Sequence, residues 1–278
     1  MSRVTTVIAT RNRWTDLEVT LSLHTEPVIL LDNGSDDGTP SRVRTAFPHV
    51  AVIELRTNLG AVARNVGVRA ATTPYVAFAD DDSWWAPGSL DRAADLLDAH
   101  PRLGLLAAHI LVGPDEWPDP VCTEMASSPL LAGDGRPCPG PRVLGFVACG
   151  SVVRREAFLA AGGFDPVVEF AGEEERLAMD LATDGWDLAY TEEVVAHHHP
   201  SPSREGALAR QTRLARNHLL TALMRRPWPV VAGTAWSLAC GDPASRRGVA
   251  LAVPRMARAL GHREVVPPPV ESQLRLLG

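Results

Sequence analysis

Three consecutive carboxylates, Asp80, Asp81 and Asp82, close the apolar run TPYVAFA. Like charges packed this tightly repel unless something offsets them. In an extended chain alternate side chains share a face, so Asp80 and Asp82 are expected to point together and Asp81 to the other side. Two carboxylates on one side of a strand end offer hard oxygen ligands to a divalent cation. The alternative is a solvated acidic turn in which Asp82 or Ser83 caps a helix starting in WWAPGSL. A second acidic cluster, LLDNGSDDGT, follows another apolar run. Its Asn-Gly and Asp-Gly pairs form turns, which accounts for Asp36, Asp37 and Gly38. Asp32 stands apart, at the end of the run itself. Further on, VVAHHH carries His197 and His199 on one face of an expected strand, either as ligands or as a polar strand end.

These residues need elements to hold them. VTTVIAT (4–10), PVILLD (27–32), VAVIEL (50–55) and PYVAFA (74–79) read as strands. Helical patterns separate them, in WTDLEVTLSLH and over residues 59–71, where Val62, Val66 and Ala70 recur at helical spacing. Short apolar runs alternating with helices predict an α/β fold, a mainly parallel sheet with helices on both faces. Ligands of such sheets sit beyond the carboxyl ends of the strands. TRNR, DNGSDDGT and DDD all fall there. From about 113 to 142 the chain is dense in Pro and Gly and reads as a long loop over the sheet, of the kind that forms lids. RVLGFVACGSVV then restores regular structure, followed by helices in REAFLAAGG and EEERLAMDLATDG and two short strands, DLAY and VVAHHH. Beyond Pro200 the chain is helical and Arg-rich, so residues 1–200 are expected to form the ligand-binding domain and 201–278 a helical extension packed on it.

Composition narrows the function classes. The chain has 278 residues, 45% of them apolar, enough for a substantial core. Its 27 basic residues are all arginine and face 33 acidic ones, so the formal charge of -6 gives no general attraction to nucleic acid. Cys122, Cys138, Cys149 and Cys240 are too widely spaced for a CxxC zinc pair and too few for a disulfide framework, which points to a reducing cytoplasm. No signal-peptide pattern precedes the first apolar run, and PWPVVAGTAWSLACG (227–241) is too short and broken to span a bilayer. Its Trp228 and Trp236 read as core packing, with contact to an anionic membrane face as the alternative. No Gly-rich phosphate loop follows the first strand, which argues against a nucleotidyltransferase.

In order and approximate spacing, VIATRNR, LDNGSDDGT, NLGAVARNVGVRAATTPYVAFADDDSWWAPGSL, GGFDP, GEEERLAMDLATDGW and VVAHHH resemble the family 2 glycosyltransferases, which have the GT-A fold. The resemblance covers roughly residues 3–200. It implies a nucleotide-sugar donor (UDP-, dTDP- or GDP-linked), Mg²⁺ or Mn²⁺ on the DxD aspartates, and transfer with inversion to a hydroxyl of a glycan, lipid or small metabolite. By the same resemblance Asp32 contacts the donor's base with Thr10 and Arg11 lining that pocket, Asp80 serves the ribose or metal side, Asp82 ligates the metal directly, and His197 completes the metal site. Arg64 adds a cationic contact to the diphosphate, or is a surface helix arginine. The catalytic base falls in the pair Glu173 and Glu174, where the family has Glu-Asp, with Glu174 the aligned base and Glu173 its rival. The next acidic position holds Arg176, implying a changed acceptor. The alternative function is a catalytically inactive nucleotide-sugar-binding protein of the same fold.

Overall fold

A computed structural model describes residues 2–130, 137–201 and 206–277. Strands β1 (Val4–Thr10), β2 (Val28–Asp32), β3 (Ala51–Glu54) and β4 (Tyr75–Ala79) pair in parallel in the order β3-β2-β1-β4. Helices α1 (Trp14–Thr20), α2 (Thr39–Ala46) and α3 (Ala63–Ala70) supply the crossovers. Val7, Ile8, Leu30, Leu31 and Phe78 are fully buried, so both faces of β1, β2 and β4 are covered, whereas the edge strand β3 is partly exposed. That two-sided burial is why they read as unbroken apolar runs. On one face Val7, Leu31 and Phe78 pack with Phe158, Phe164 and Leu177; on the other Ile8 and Leu30 meet Leu17, Leu21 and Val43. Gly67 brings α3 close to the sheet, since a Cβ there would come within 2.6 Å of the Val7 side chain.

After β4 the sheet becomes mixed. β5 (Ser83–Trp85), α4 (Ser89–Ala99), β6 (Leu103–Val112), β7 (Trp117–Pro118), α5 (Pro120–Ala126), β8 (Ser151–Arg154), α6 (Arg155–Ala160), α7 (Glu173–Thr183) and β9 (Asp187–His198) follow in turn. The sheet order is β3-β2-β1-β4-β8-β6-β9-β5, with β7 on β6. β8 runs antiparallel to both β4 and β6, and β9 is parallel to β6 and antiparallel to β5. The expected parallel sheet therefore describes the first four strands.

Three local expectations change. Neither Asp82 nor Ser83 caps a helix, because Ser83 opens β5 and α4 begins at Ser89 after the left-handed Gly88 (φ 79°). DLAY and VVAHHH are one strand, with its pairing to β6 shifting register between Ala108 and His109. The expected loop 113–142 contains β7 and α5, the latter capped by the Asp119 side chain accepting from the Val121 N–H; residues 131–136 of it lie outside the described residues.

The remaining helices are α8 (Ala207–Arg225), α9 (Trp228–Cys240), α10 (Pro243–Ala252), α11 (Met256–Gly261) and α12 (Pro268–Leu277). α8 buries Leu219, Leu220 and Met224 against Val167 and Val168, and α12 packs Val270 and Leu274 near Met179. Core packing does not hold for Trp228 and Trp236, which are 58% and 73% exposed. Among the described residues no helix is long and apolar enough to cross a membrane.

Candidate functional site

Strand register gathers the chemistry at one sheet end. Thr10 of β1 lies opposite Asp32 of β2, and Ile8 opposite Ala79, so the chain leaving β4 emerges beside Thr10. There it turns at once. The Ser83 N–H donates to the Asp80 carbonyl at 3.2 Å, and the Asp80 N–H donates to Ser83 Oγ at 2.8 Å. Asp80 to Ser83 is thus a tight turn, and strand alternation does not apply to it. Asp81 does not face away: Thr10 Oγ1 donates to its Oδ2 at 3.0 Å. Burial, with Asp80 and Asp82 beside it, pushes the Asp81 carboxyl up to about 7. Thr10, itself buried, is the underside of this acidic turn.

Asp82 is buried and held by the segment after β9. The Ser201 N–H donates to its Oδ2 at 2.9 Å, and the His199 N–H to its carbonyl at 2.9 Å. Ser201 also accepts from Arg13 and donates to Asp16, which ties this segment to the loop after β1. β5 and β9 pair with Ser83 opposite His198 and Trp84 opposite His197. The His197 ring accordingly stacks on Trp84, centroids 5.2 Å apart and 14° from parallel, with Nδ1 3.2 Å from Glu116. His198 is the histidine beside the aspartates, its Nε2 3.4 Å from Asp82 Oδ1. The expected convergence of His197 on the DxD acids is absent, because the acids lie in a turn and cross-strand pairing gives His197 to the face of Trp84.

Asp32 is 2% exposed and accepts from Ser35, through the backbone N–H at 3.0 Å and through the hydroxyl. It anchors the DNGS turn. Asn12, left-handed at φ 55°, joins that turn to the end of β1 by exchanging hydrogen bonds with Asp36. Arg11 is exposed at the rim.

Arg64 is neither a surface arginine nor open to a diphosphate. Its side chain is 4% exposed; Nη2 pairs with Asp80 Oδ1 and Nη1 lies 3.5 Å from Glu173 Oε1. Glu173 is 2% exposed, and burial, reinforced by the charge of Glu174 and opposed by Arg64, raises its carboxyl well above the usual range. Glu174 is less enclosed. It accepts from the Ala148 N–H at 3.3 Å, and burial raises its carboxyl against the opposing pull of Arg64. Glu175 turns outward to His218 at 3.1 Å. Arg176 leaves the site altogether, donating to the Gly163 carbonyl at 3.0 Å and meeting Asp180 at 2.8 Å, so it fastens α7 to the GGF turn.

The start of α7 is set by strained backbone. Glu169, Ala171 and Gly172 are all left-handed, at φ 68°, 67° and 88°, and for the two non-glycines this costs about 1 kcal/mol or more each. The Ala61 N–H donates to Glu169 O at 3.1 Å, and Asn217 Nδ2 of α8 donates to Phe170 O at 2.9 Å and Ala171 O at 2.7 Å. The helical extension therefore helps aim Glu173 and Glu174. Sequence reasoning missed His198, Asp81, Ser201 and Ala148, whose N–H meets Glu174. Recognising SWW as a strand opposite the histidines would have found the first.

The model of glycosyl transferase family 2 matches residues 5–160. The N-acetylglucosaminyl-diphospho-decaprenol L-rhamnosyltransferase of Mycobacterium tuberculosis (strain ATCC 25618 / H37Rv) is 32% identical over 220 residues, 66% of this chain and 70% of that protein. Among solved structures, mannosyltransferase PcManGT from Pyrobaculum calidifontis, in complex with GDP-Man and Mn²⁺, matches with a TM-score of 0.62 at 21% identity, over 99% of this chain and 84% of that one. TarS 1-349 of S. aureus, in complex with UDP-GlcNAc, matches with a TM-score of 0.59 at 15% identity, over 98% and 84%. These two likenesses bear on the fold, which is the GT-A type. The family match and the rhamnosyltransferase relative carry the function: this chain is a glycosyltransferase and belongs to glycosyl transferase family 2.

Proposed function

We propose that this enzyme transfers a sugar with inversion from a nucleotide-sugar donor to a hydroxyl of a lipid-linked acceptor, with Glu174 as the base. The observation that carries the reading is the Asp80–Arg64–Glu173 ion-pair chain, which joins the acidic turn and the first turn of α7 into one unit. The acidic turn and the helix turn that carries Glu174 would thereby be held in fixed relation.

The acidic turn brings three carboxylates together, hard oxygen ligands of the kind a divalent cation takes. Among the described residues no three His, Cys, Asp or Glu side chains form a complete cation site. A cation there would take Asp82, with Asp80 and His198 beside it, and draw its other ligands from diphosphate oxygens and water, as Mg²⁺ commonly does. Bound Mg²⁺ or Mn²⁺ would neutralise charge gathering on the departing diphosphate. The donor's base would meet the turn anchored by Asp32 and Ser35, with Arg11 exposed at the end of β1. Glu174 takes the acceptor proton as the hydroxyl oxygen attacks the anomeric carbon and the carbon–phosphate-oxygen bond breaks. Burial raises its proton affinity, which strengthens it as a proton acceptor. The 32% identical relative, an N-acetylglucosaminyl-diphospho-decaprenol L-rhamnosyltransferase, supports a lipid-linked acceptor and makes a rhamnosyl nucleotide the first donor to test.

A thermal-shift panel of UDP-, dTDP- and GDP-sugars, rhamnosyl donors included, with and without Mn²⁺, tests the donor assignment. A native-state ligand raises the melting temperature. One donor is expected to stabilise the protein in a Mn²⁺-dependent way and to be hydrolysed slowly. Stabilisation by no sugar nucleotide, with or without metal, would overturn it.

A further inference from the structure

Helix α9, WPVVAGTAWSLAC, contains no charged residue, and the uncharged stretch extends from Pro227 to Gly241. A helix apolar on every side is ordinarily buried, in a core or in lipid. Only Val231 of α9 is buried, with Ala235 and Leu238 turned with it toward α8. The opposite side presents Pro229, Ala232, Gly233, Trp236 and Ala239 to solvent. At 13 residues α9 is about 20 Å long, too short for a hydrocarbon core of about 30 Å. Its geometry suits lying in a membrane interface, where tryptophan is enriched.

Charge identifies the surface it fits. Residues 201–278 carry twelve arginines against four acidic residues, a formal +8 against -14 for residues 1–200; Arg216, Arg225 and Arg226 are buried, and Asp242 is the exposed acid between α9 and α10. One turn into α10, directly after α9, Arg246 and Arg247 are exposed, followed by exposed Leu251 and Val253 and by Arg258. The Arg263 guanidinium stacks over Trp228 at 4.0 Å. Pairing this face with a second copy would set cation against cation, whereas an anionic lipid surface complements it.

We infer that α9 and the start of α10 form a membrane-docking face, in which Trp236 enters the interface of an anionic bilayer while Arg246 and Arg247 contact lipid phosphates. This stands on residues outside the transfer site and does not depend on the proposed acceptor.

The test is co-sedimentation with phosphatidylglycerol vesicles and with phosphatidylcholine vesicles. The intact protein is expected to bind the anionic vesicles, and binding should fall with added salt. Trp236→Glu and the pair Arg246→Glu/Arg247→Glu should each weaken it by about tenfold or more, at unchanged melting temperature. Trp236 is exposed, so its replacement leaves the core intact. Absence of binding to anionic vesicles, or binding that both variants retain, would overturn the inference. So would a doubled mass in solution that Trp236→Glu abolishes without any vesicle binding, which would make the face a contact between copies.

Discussion

Arg64 and Glu173 form a buried ion pair, Nη1 to Oε1 at 3.5 Å, and the same guanidinium holds Asp80. Neither Glu173 Oε2 nor Arg64 Nε has a hydrogen-bond partner among the described residues. The pair is therefore costly to desolvate and costly to break. Its effect is geometric: it fixes the distance between the end of β4 and the start of α7.

Arg64→Met should destabilise the fold by about 3–5 kcal/mol, the usual result of stranding a buried charge. The double variant Arg64→Met/Glu173→Gln should recover a large part of that loss, because the stranded carboxylate is gone. Urea unfolding of the four proteins gives the coupling directly. A single variant as stable as the parent would mean that the guanidinium holds nothing.

Glu174→Gln should preserve donor binding and reduce kcat on the order of 100- to 10,000-fold, the usual contribution of a positioned base. Glu173→Gln should act mainly on stability, its carboxylate being committed to Arg64. Calorimetric donor titration and initial rates on both variants separate the roles. If the large kcat loss falls on Glu173→Gln instead, the base has been assigned to the wrong glutamate.

The two histidines should respond differently to metal. His198→Ala is expected to raise the Mn²⁺ concentration for half-maximal activity several-fold, since its Nε2 faces Asp82. His197→Ala should leave the metal titration unchanged and lower the melting temperature slightly, through loss of its stacking on Trp84. The opposite pattern would restore His197 as the metal-site histidine.

Burial lowers the His24 imidazole to about 4, against a weaker upward pull from the Ser83 backbone. Between about pH 6.5 and 4 the unfolded chain binds a proton there that the folded chain does not, so stability falls as pH falls through that window. The contribution reaches about 3 kcal/mol. His24→Gln should flatten the stability profile between pH 4 and 6.5, as read by urea midpoints. A profile as steep as the parent's would assign that acid sensitivity to other groups.

The sequence by itself determined the parts whose cause is local. Apolar runs covered on both sides announced β1, β2 and β4 and placed Thr10, Asp32 and Asp80 at their ends, where parallel pairing alone brings them together. The acidic start of α7 was legible too, from EEERLAMDLATDG. β6 was not distinguished, because LGLLAAHILV lacks alternation and a buried strand and a buried helix then look alike. Only the tertiary structure decided which histidine meets Asp82, since that depends on the antiparallel register of β5 and β9. It alone closed Arg64 between Asp80 and Glu173, residues 16 and 109 positions away along the chain, because a buried ion pair is chosen by packing distance rather than by spacing. The exposure of Trp236 likewise belongs to the fold: composition records that a helix is apolar, and only its neighbours fix which side is left uncovered.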